Sequence, residues 1–386
     1  MEDLSIATNA PKPRPRWRQL VASAALLLAG TANAENLTVV MVGPMSGPEA
    51  VVGRSYAAGL QLAFDGHNRS SGANGHTLQL LRGNDGGRGA DTVSETRRLL
   101  AEGRPVALAG YVGDEPVSAL LRSGLLEQER LPLVGSKTIQ LEVENPWVFG
   151  VRASTSIELT KLVQHMKTVG LQRVALFHEE GAQAVVARTE ALCKEAGLQL
   201  VARASYPAGS SRGLPAAEQL LGSPAQAILI VSSSAAASAF IEGYRSSGGK
   251  AQLFAHSGAD IEQLSKRLAD EHMQNLAIAQ VVPNPYKGTL KLSREFAAAA
   301  ASANPPLEVP VGFTMMEGYI AGRLIAEGVR RISGPPSREA LRNALERLGT
   351  LDLSGLRLTL GPGPINHTAS QWVELSIVNR EGKIRQ

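Results

Sequence analysis

The chain has 386 residues, enough for two to three domains of about 150 residues each, and its 44% hydrophobic content excludes a disordered or fibrous protein. The net charge of +4 falls to +2 without the first 34 residues, which hold four basic and two acidic side chains. With no clustered basic face and only 3 Trp, 6 Tyr and 7 Phe, the sequence does not indicate nucleic-acid binding. Cys193 is the single cysteine, which excludes an internal disulfide, and no Cys/His cluster indicates a metal or another cofactor.

The first 34 residues have the pattern of a secretory signal peptide. A basic stretch begins at Arg14, an apolar run extends from Leu20 to Ala29, and a small-x-small cleavage pattern ends at Ala34. A membrane anchor is the alternative, but this run of ten residues is far shorter than the roughly 20 that cross a bilayer. We therefore expect cleavage after Ala34, a mature chain that begins at Glu35, and a periplasmic location.

From Glu35 onward, short apolar runs alternate with amphipathic stretches, a pattern typical of parallel strands joined by helices. The first half predicts strand 37–42, helix 50–68, strand 76–82, helix 90–102, strand 106–111, helix 115–129 and strand 131–134. After residues 147–152 the alternation restarts. The second set predicts strands at 173–178, 198–205, 227–231, 252–255 and 276–282, and helices at 182–196, 214–221, 235–246 and 261–269.

The segment Pro283-Asn284-Pro285 interrupts the second set. Helices 292–301, 314–331 and 337–348 follow, and strands 356–360 and 372–379 end the chain. Two sets of strands, followed by C-terminal segments that belong to neither set, predict an α/β protein of two doubly wound, Rossmann-like lobes that exchange segments.

The loops after the strands are the candidate site, because ligands of an open parallel sheet bind beyond the carboxyl ends of its strands. Ser136, Lys137 and Thr138 combine hydroxyl groups with an ammonium and are the best candidates for holding a carboxylate. Asp260 or Glu179 could face a ligand ammonium from the second sheet. The alternative is that these are ordinary turn and helix-capping residues, and the sequence leaves both interpretations open.

Enzyme motifs are incomplete in this chain. Gly87 and Gly89 follow a predicted strand, but Thr92 replaces the third glycine of the dinucleotide fingerprint. His178 does not begin a zinc-binding HExxH because Ala182 stands in place of the second histidine, and no serine lies in GxSxG. We therefore expect no catalytic residue and no enzymatic activity.

Several short segments carry a family resemblance through their order along the chain. They are residues 40–48, Gly53, Gly59, and residues 84–85, 107–114, 131–136, 148–154, 280–285 and 317–319. In this order they resemble the leucine/isoleucine/valine-binding proteins, the extracytoplasmic receptors of branched-chain amino-acid ABC transporters. The resemblance covers nearly the whole mature chain.

The resemblance implies a type I periplasmic-binding fold, with two doubly wound lobes, three crossover segments and a ligand cleft that closes by hinge motion. Residues 35–150 and 283–350 would form the N-terminal lobe, and residues 151–282 and 351–386 the C-terminal lobe. The crossovers would lie near residues 149–153, 280–283 and 351–355.

In such receptors the first lobe holds the ligand carboxylate and an acidic residue of the second lobe holds the ammonium. The implied ligand-binding residues are Val52, Tyr111, Val112, Gly113, Asp114, Ser136, Lys137 and Thr138 in the first lobe, and Glu179, Ser257 and Asp260 in the second. This chain departs from the family where Gly113-Asp114 replaces a Ser/Thr-rich turn and where Val52 lies near a common aromatic position. A carboxylate at Asp114 would repel a bound carboxylate unless Lys137 neutralises it.

The leading hypothesis is a monomeric periplasmic receptor that traps a small polar molecule, such as an amino acid or a related carboxylate or amide. It would present its closed form to the membrane permease of an ABC transporter. One alternative is a sensor of the same fold that passes closure to a signalling protein. The other is a secreted α/β enzyme.

Overall fold

The computed structural model describes residues 35–70, 75–138, 140, 144–362, 370–379 and 384–385. The predicted signal peptide and its cleavage site lie almost wholly outside these residues. Two separate, mainly parallel sheets flanked by helices confirm the predicted α/β class. None of the helices in the described part is long and apolar enough to cross a bilayer.

The strands and helices alternate along most of the chain, as the sequence pattern predicts. In chain order they are β1 (Asn36–Gly43), α1 (Ala50–Arg69), β2 (Thr77–Asn84), α2 (Gly89–Gly103), β3 (Ala107–Val112), α3 (Asp114–Arg122), α4 (Leu125–Gln128), β4 (Leu133–Lys137), β5 (Val148–Phe149), α5 (Thr155–Thr168), β6 (Arg173–Glu179), α6 (Gln183–Ala196), β7 (Gln199–Tyr206), α7 (Leu214–Leu221), β8 (Ala227–Val231), α8 (Ser234–Ser246), β9 (Gln252–Ala255), α9 (Ile261–Arg267), α10 (Asp270–Met273), β10 (Ala277–Gln280), α11 (Lys291–Ala301), α12 (Phe313–Arg330), α13 (Arg338–Glu346), β11 (Gly349–Leu353), β12 (Leu356–Leu360), β13 (Glu374–Val378) and β14 (Ile384–Arg385).

The first sheet has the order β2-β1-β3-β4-β5, and all its strands are parallel. The second has the order β14-β13-β10-β9-β8-β6-β7, in which β13 and β14 are antiparallel to their neighbours. The inner strands β1 and β8 are almost completely buried, because helices cover both faces of a sheet built by crossover connections.

Close contact between α1 and α12 positions one wall of the first lobe. A Cβ added to Gly59 would lie 2.0 Å from the Met315 carbonyl oxygen, and one added to Gly318 would lie 2.1 Å from the Tyr56 carbonyl oxygen. Only glycine permits this backbone approach. The contact places Glu317, next to Gly318, inside the protein, where it is 1% exposed.

The sequence prediction omits the short elements β5, α10, β11 and β14, and three further details differ from it. The predicted helix 115–129 is two helices, α3 and α4, because Gly124 adopts a left-handed conformation with φ of 68° between them. Helix α5 was not predicted, although Ser154 caps it by accepting a hydrogen bond from the Ile157 amide. Strand β4 continues to Lys137, so Gly135 and Ser136 belong to a strand rather than to a loop.

The chain passes between the sheets more than once. It leaves the first sheet after β5, and after β10 it returns to place α12 against α1. The hairpin β11–β12 pairs only with itself among the described strands, and the Ser354 hydroxyl in its turn donates to Glu295 of α11. The next strand of the second sheet begins at Glu374. Two separate sheets favour two lobes, and the predicted lobe boundaries stay a prediction.

Candidate functional site

A cavity of about 160 Å³ lies where the carboxyl ends of both sheets meet. Loops after β1, β2, β3 and β4 line it from the first sheet, and loops after β6, β7, β8 and β9 line it from the second. This is the position at which parallel α/β sheets bind ligands, because free backbone groups and helix N-termini collect there. The cavity and its lining are called the cleft below.

A buried network of charged side chains forms one wall of the cleft. The Lys137 ammonium lies 3.1 Å from Glu317 Oε1, and Arg152 Nη1 lies 3.4 Å from Glu317 Oε2. Arg152 Nη2 lies 2.6 Å from Glu158 Oε1 and also contacts the Ser257 hydroxyl. Two cations and two carboxylates therefore balance one another inside the protein, which is the condition for burying charge.

The charge of Glu158 depends on this network. Burial alone would raise the pKa of its carboxyl group, but the Arg152 guanidinium and the Ser257 amide, 2.8 Å from Glu158 Oε2, hold that pKa below its usual value. Arg152 is also buried, and the carboxylates of Glu317 and Glu158 outweigh the effect of burial and raise its pKa. Glu158 and Arg152 therefore stay ionised although both side chains are nearly inaccessible to water.

His256 lines the cleft beside this wall and is 2% exposed. Burial lowers the pKa of its imidazole to about 4; Glu158 opposes this shift, and Arg152 and Lys137 add to it. Its Nδ1 accepts a hydrogen bond of 2.6 Å from the Gly258 amide, so the neutral ring carries its proton on Nε2. Among the described residues, Nε2 has no hydrogen-bond partner.

Carboxylates from both lobes occupy other parts of the lining. Asp114 accepts a hydrogen bond from the Thr138 hydroxyl, and Glu115 accepts one from the Gly89 amide at the start of α2. From the second lobe, Glu179 accepts from the Gly209 amide at 2.7 Å and from the Tyr206 hydroxyl at 3.1 Å. Burial raises the pKa of Glu179, and the negative charges of Asp114 and Glu115 raise it further.

Glu49 connects the two lobes directly. It follows β1, and its carboxylate accepts hydrogen bonds from the Ser234 hydroxyl at 2.9 and 3.0 Å and from the Ala235 amide at 2.9 Å. These donors are at the N-terminus of α8, where the helix dipole favours a negative charge. A second contact joins the same loop to α9, because the Arg267 guanidinium donates to the Pro48 carbonyl oxygen at 2.6 Å.

Seven of the residues predicted from the sequence line the cleft. They are Val52, Val112, Gly113, Asp114, Lys137, Thr138 and Glu179. The Lys137 ammonium, expected to hold a ligand carboxylate, is already bonded to Glu317.

Four predicted residues lie outside the described lining. Tyr111 is turned into the core, where its hydroxyl group lies 2.8 Å from the Thr96 hydroxyl. Ser136 lies within β4, and Ser257 lies behind the lining against Arg152. Asp260 caps α9 through the Gln263 amide at 3.0 Å and accepts from the Thr314 hydroxyl at 2.7 Å. Its carboxylate is therefore used in joining α9 to α12.

The sequence interpretation missed Glu49, Glu115, Arg152, Tyr206 and His256, which also line the cleft. Three of them could have been found from the sequence, since Glu49, Glu115 and His256 directly follow predicted strands or loops of the candidate site. Among the described residues, no group of three or more His, Cys, Asp or Glu side chains could hold a metal ion.

The chain is similar to known proteins both in sequence and in fold. The family model described as periplasmic binding protein matches residues 36–382. A relative named Leu/Ile/Val-binding protein homolog 7, from Brucella melitensis, is 28% identical over 198 residues, which are 48% of this chain and 49% of the relative. The chain thus spans about half the length of the relatives of this kind that it matches.

Solved structures match over more of the chain. A substrate-binding periplasmic protein from Ralstonia solanacearum is 32% identical with a TM-score of 0.84, covering 91% of this chain and 99% of that one. A possible leucine/isoleucine/valine-binding protein from Rhodopirellula baltica is 25% identical with a TM-score of 0.83, covering 93% and 98%. Both are similar to this chain in fold and in sequence.

Proposed function

Because the chain belongs to the periplasmic binding protein family, we propose that it is the solute-binding receptor of an ABC transporter. It binds a small polar molecule, such as an amino acid or a related carboxylate or amide, and catalyses no reaction. We place it in the periplasm as a monomer that delivers its ligand to a membrane permease. The names of its relatives, which refer to leucine, isoleucine and valine binding, support this class of ligand.

The observation that carries this proposal is the composition of the cleft. Glu115 and Thr138 come from the first sheet, and Glu179 and His256 come from the second, yet all four line one cavity. A ligand in this cavity contacts both lobes only when the lobes are together. Differential affinity of that kind shifts the population of a hinged protein toward its closed form.

The proposed lobes are residues 35–150 with 283–350, and residues 151–282 with 351–386. The interlobe contacts at Glu49 and Arg267 define the closed arrangement. Opening the hinge would expose the α8 N-terminus and the charged wall to water. Ligand binding would then restore the closed arrangement and present one continuous surface to the permease.

Thermal denaturation with a panel of amino acids, amino-acid amides and organic acids tests the proposal. We expect at least one compound to raise the melting temperature, since a ligand at 100 times its Kd adds about 2.7 kcal/mol of stability. In cells, deletion of the protein should abolish high-affinity uptake of the same compound. Stabilisation without any effect on uptake would favour the sensor alternative, and a panel without effect would contradict the proposal.

A blocking variant shows whether the compound binds in the cleft. Ser211 is exposed on the loop that lines the cleft, so Ser211→Trp should fill its entrance and prevent stabilisation. Ser247 is an exposed residue at the end of α8 and does not belong to the described lining, so Ser247→Trp is the matched control. If both variants respond to the compound like the unmodified protein, the binding site lies elsewhere.

A further inference from the structure

The N-terminus of α12 is held by side chains of α9 rather than by a cap of its own. Its N-cap residue is Gly312, which has no side chain to accept a hydrogen bond. The Phe313 amide donates instead to Glu262 Oε1 at 2.9 Å, and the Thr314 hydroxyl donates to Asp260 Oδ2 at 2.7 Å. Both carboxyl groups belong to the start of α9, which follows β9 of the second sheet, whereas α12 packs against α1 of the first. This contact therefore joins the two proposed lobes.

The two helices are in direct contact at this point, which is called the α9–α12 junction below. A Cβ added to Gly312 would lie 3.0 Å from Glu262 Cδ. Asp260 is 5% exposed, and its Oδ1 accepts a hydrogen bond of 3.0 Å from the Gln263 amide of α9 itself. Two helix N-termini thus meet at the carboxyl groups of Asp260 and Glu262. Helix N-termini favour a negative charge, but a second negative charge beside the first repels it.

Asp260 and Glu262, called the carboxyl pair below, lie close enough for a hydrogen bond between their side chains. Such a bond needs a proton on one of them, because two ionised carboxylates offer acceptors only. Burial and the negative charge of Asp260 raise the pKa of Glu262 from 4.5 to about 7, although hydrogen bonds from Tyr286 and Phe313 oppose this shift. A protonated Glu262 donates to Asp260 while its other oxygen still accepts from the Phe313 amide. The junction is therefore complete with one proton and holds a repulsive pair without it.

The segment that links β10 to α11 covers the carboxyl pair. The Tyr286 hydroxyl donates to Glu262 Oε1 at 2.7 Å, and the Tyr286 ring lies edge-on to Phe313 with ring centroids 6.1 Å apart. The Asn284 side chain orders this segment by accepting a hydrogen bond of 2.7 Å from the Tyr286 amide. Residues 280–283, one of the proposed crossovers, directly precede it. The α9–α12 junction therefore lies beside the proposed hinge.

Other charged groups near the junction have partners elsewhere or do not bond to the carboxyl pair. The Arg267 guanidinium of α9 donates to the Pro48 carbonyl oxygen, and Glu317 of α12 is bonded within the charged wall. Among the described residues, no hydrogen bond or ion pair joins the carboxyl pair to the other charged or titratable side chains of the neighbouring segments, which are Lys266 on α9, Glu242 and Arg245 on α8, Asp270, Glu271 and His272 on α10, His256 before α9, and Lys287 after β10. The carboxyl pair is therefore the titrating group of this junction.

We propose that the carboxyl pair of Asp260 and Glu262 is a proton-dependent latch of the hinge. One shared proton holds α9 against α12 and keeps the lobes closed, and loss of that proton lets them separate. This inference rests on the proposed receptor function and adds a regulation to it. Because the ligand binds the closed arrangement, a lower pH favours its capture and a higher pH its release.

The test measures the distance between the lobes without any ligand. Spin labels at Arg97→Cys on α2 and Glu218→Cys on α7, both exposed positions, report this distance by double electron–electron resonance at pH 6 and pH 8. With a Glu262 pKa of about 7 in the closed arrangement and 4.5 after separation, the ratio of closed to open protein is about tenfold higher at pH 6 than at pH 8. We therefore expect the distance distribution to shift to longer values at pH 8.

Two variants of the labelled protein assign this shift to the carboxyl pair. Glu262→Gln resembles the protonated side chain, since its amide nitrogen donates to Asp260 and its oxygen accepts from Phe313; at pH 8 it should keep the distribution seen at pH 6. Asp260→Asn removes the repulsion, so it should also give one distribution at both pH values, and it provides a second reading if Glu262→Gln is unstable. Glu242→Gln, at an exposed position on α8, is the control and should keep the shift. Circular dichroism establishes that each variant is folded at both pH values.

The outcomes separate the latch from the proposed function. The same distribution at pH 6 and pH 8 in the labelled protein without further substitution would overturn the latch. An undiminished shift in Glu262→Gln or in Asp260→Asn would overturn it as well. A pH effect on urea denaturation without an effect on the distance would show that the junction is only structural. None of these results bears on the receptor function, which is judged by the ligand panel.

Discussion

Glu317 is expected to be the residue on which the charged wall of the cleft depends most. Its carboxylate bonds to both Lys137 and Arg152, although they are 180 and 165 positions away in the sequence. Glu317→Gln keeps the shape of the side chain and removes the charge. The remaining wall then holds two buried cations against the single carboxylate of Glu158.

The size of the effect follows from the burial of all partners. Breaking a buried ion pair by removing one charge costs about 3 to 5 kcal/mol, because the remaining charge is left uncompensated. Arg152 keeps Glu158 as a partner, so we expect the lower end of this range, about 3 kcal/mol. For a protein of this size that loss corresponds to a melting temperature lower by about 4 °C.

Urea denaturation followed by circular dichroism measures this loss. The control is Glu190→Gln, because Glu190 pairs with Arg203 at the surface, where both side chains are about half exposed. Such an exposed pair contributes no more than about 1 kcal/mol. The double variant Lys137→Met/Glu317→Gln removes an opposite pair of charges, and it should lose less stability than the sum of its single variants by about 0.5 to 3 kcal/mol. The reasoning is refuted if Glu317→Gln is no more destabilising than Glu190→Gln.

Three further predictions concern titration, helix contact and closure. The pKa of His256 is lowered from 6.5 to about 4, so the stability that its neutral ring contributes is present above pH 6.5 and is lost as pH falls through about 4. Compared with His256→Gln, the unmodified protein should lose about 3 kcal/mol of unfolding free energy between these pH values. Parallel pH profiles of the two proteins would count against this prediction. Gly318→Ala should destabilise the protein strongly, because the added methyl group would lie 2.1 Å from a carbonyl oxygen. Gly66→Ala is the control and should not destabilise it, because the nearest atom to its methyl group is 4.0 Å away. Equal urea midpoints for the two variants would contradict this prediction. Glu49→Gln removes a negative charge from the α8 N-terminus and so weakens a contact between the lobes. It should therefore increase the radius of gyration of the ligand-free protein in X-ray scattering. An unchanged radius would show that this contact does not hold the lobes together.

The fold could be predicted from the sequence where the hydrophobic pattern is strong. The buried strands β1 and β8 and the long helices α1 and α12 lie within one or two residues of the predicted bounds. Helix α5 was missed although Ser154, which begins it, is a typical N-cap residue. The break at Gly124 was missed because the apolar pattern continues across it, and only its left-handed backbone separates the two helices.

The candidate site could be located from the sequence but not resolved in its interactions. The rule that ligands bind beyond the carboxyl ends of strands points to Asp114, Lys137 and Glu179, and all three line one cavity. What the sequence could not show is which charges neutralise one another, because those contacts form between distant segments. The bond from Lys137 to Glu317, and the use of Asp260 to join α9 to α12, depend on helix packing that no local pattern encodes.

The central claim is that two lobes close on a small ligand, and the distance between them tests it most directly. Arg97 on α2 and Glu218 on α7 are exposed positions on opposite lobes, so Arg97→Cys and Glu218→Cys can carry spin labels while Cys193 remains buried. Double electron–electron resonance is then recorded alone and with each compound of the panel of amino acids, amino-acid amides and organic acids. The account predicts a shift to a shorter, narrower distance distribution with the compound that raises the melting temperature. The same distribution in every sample would contradict it.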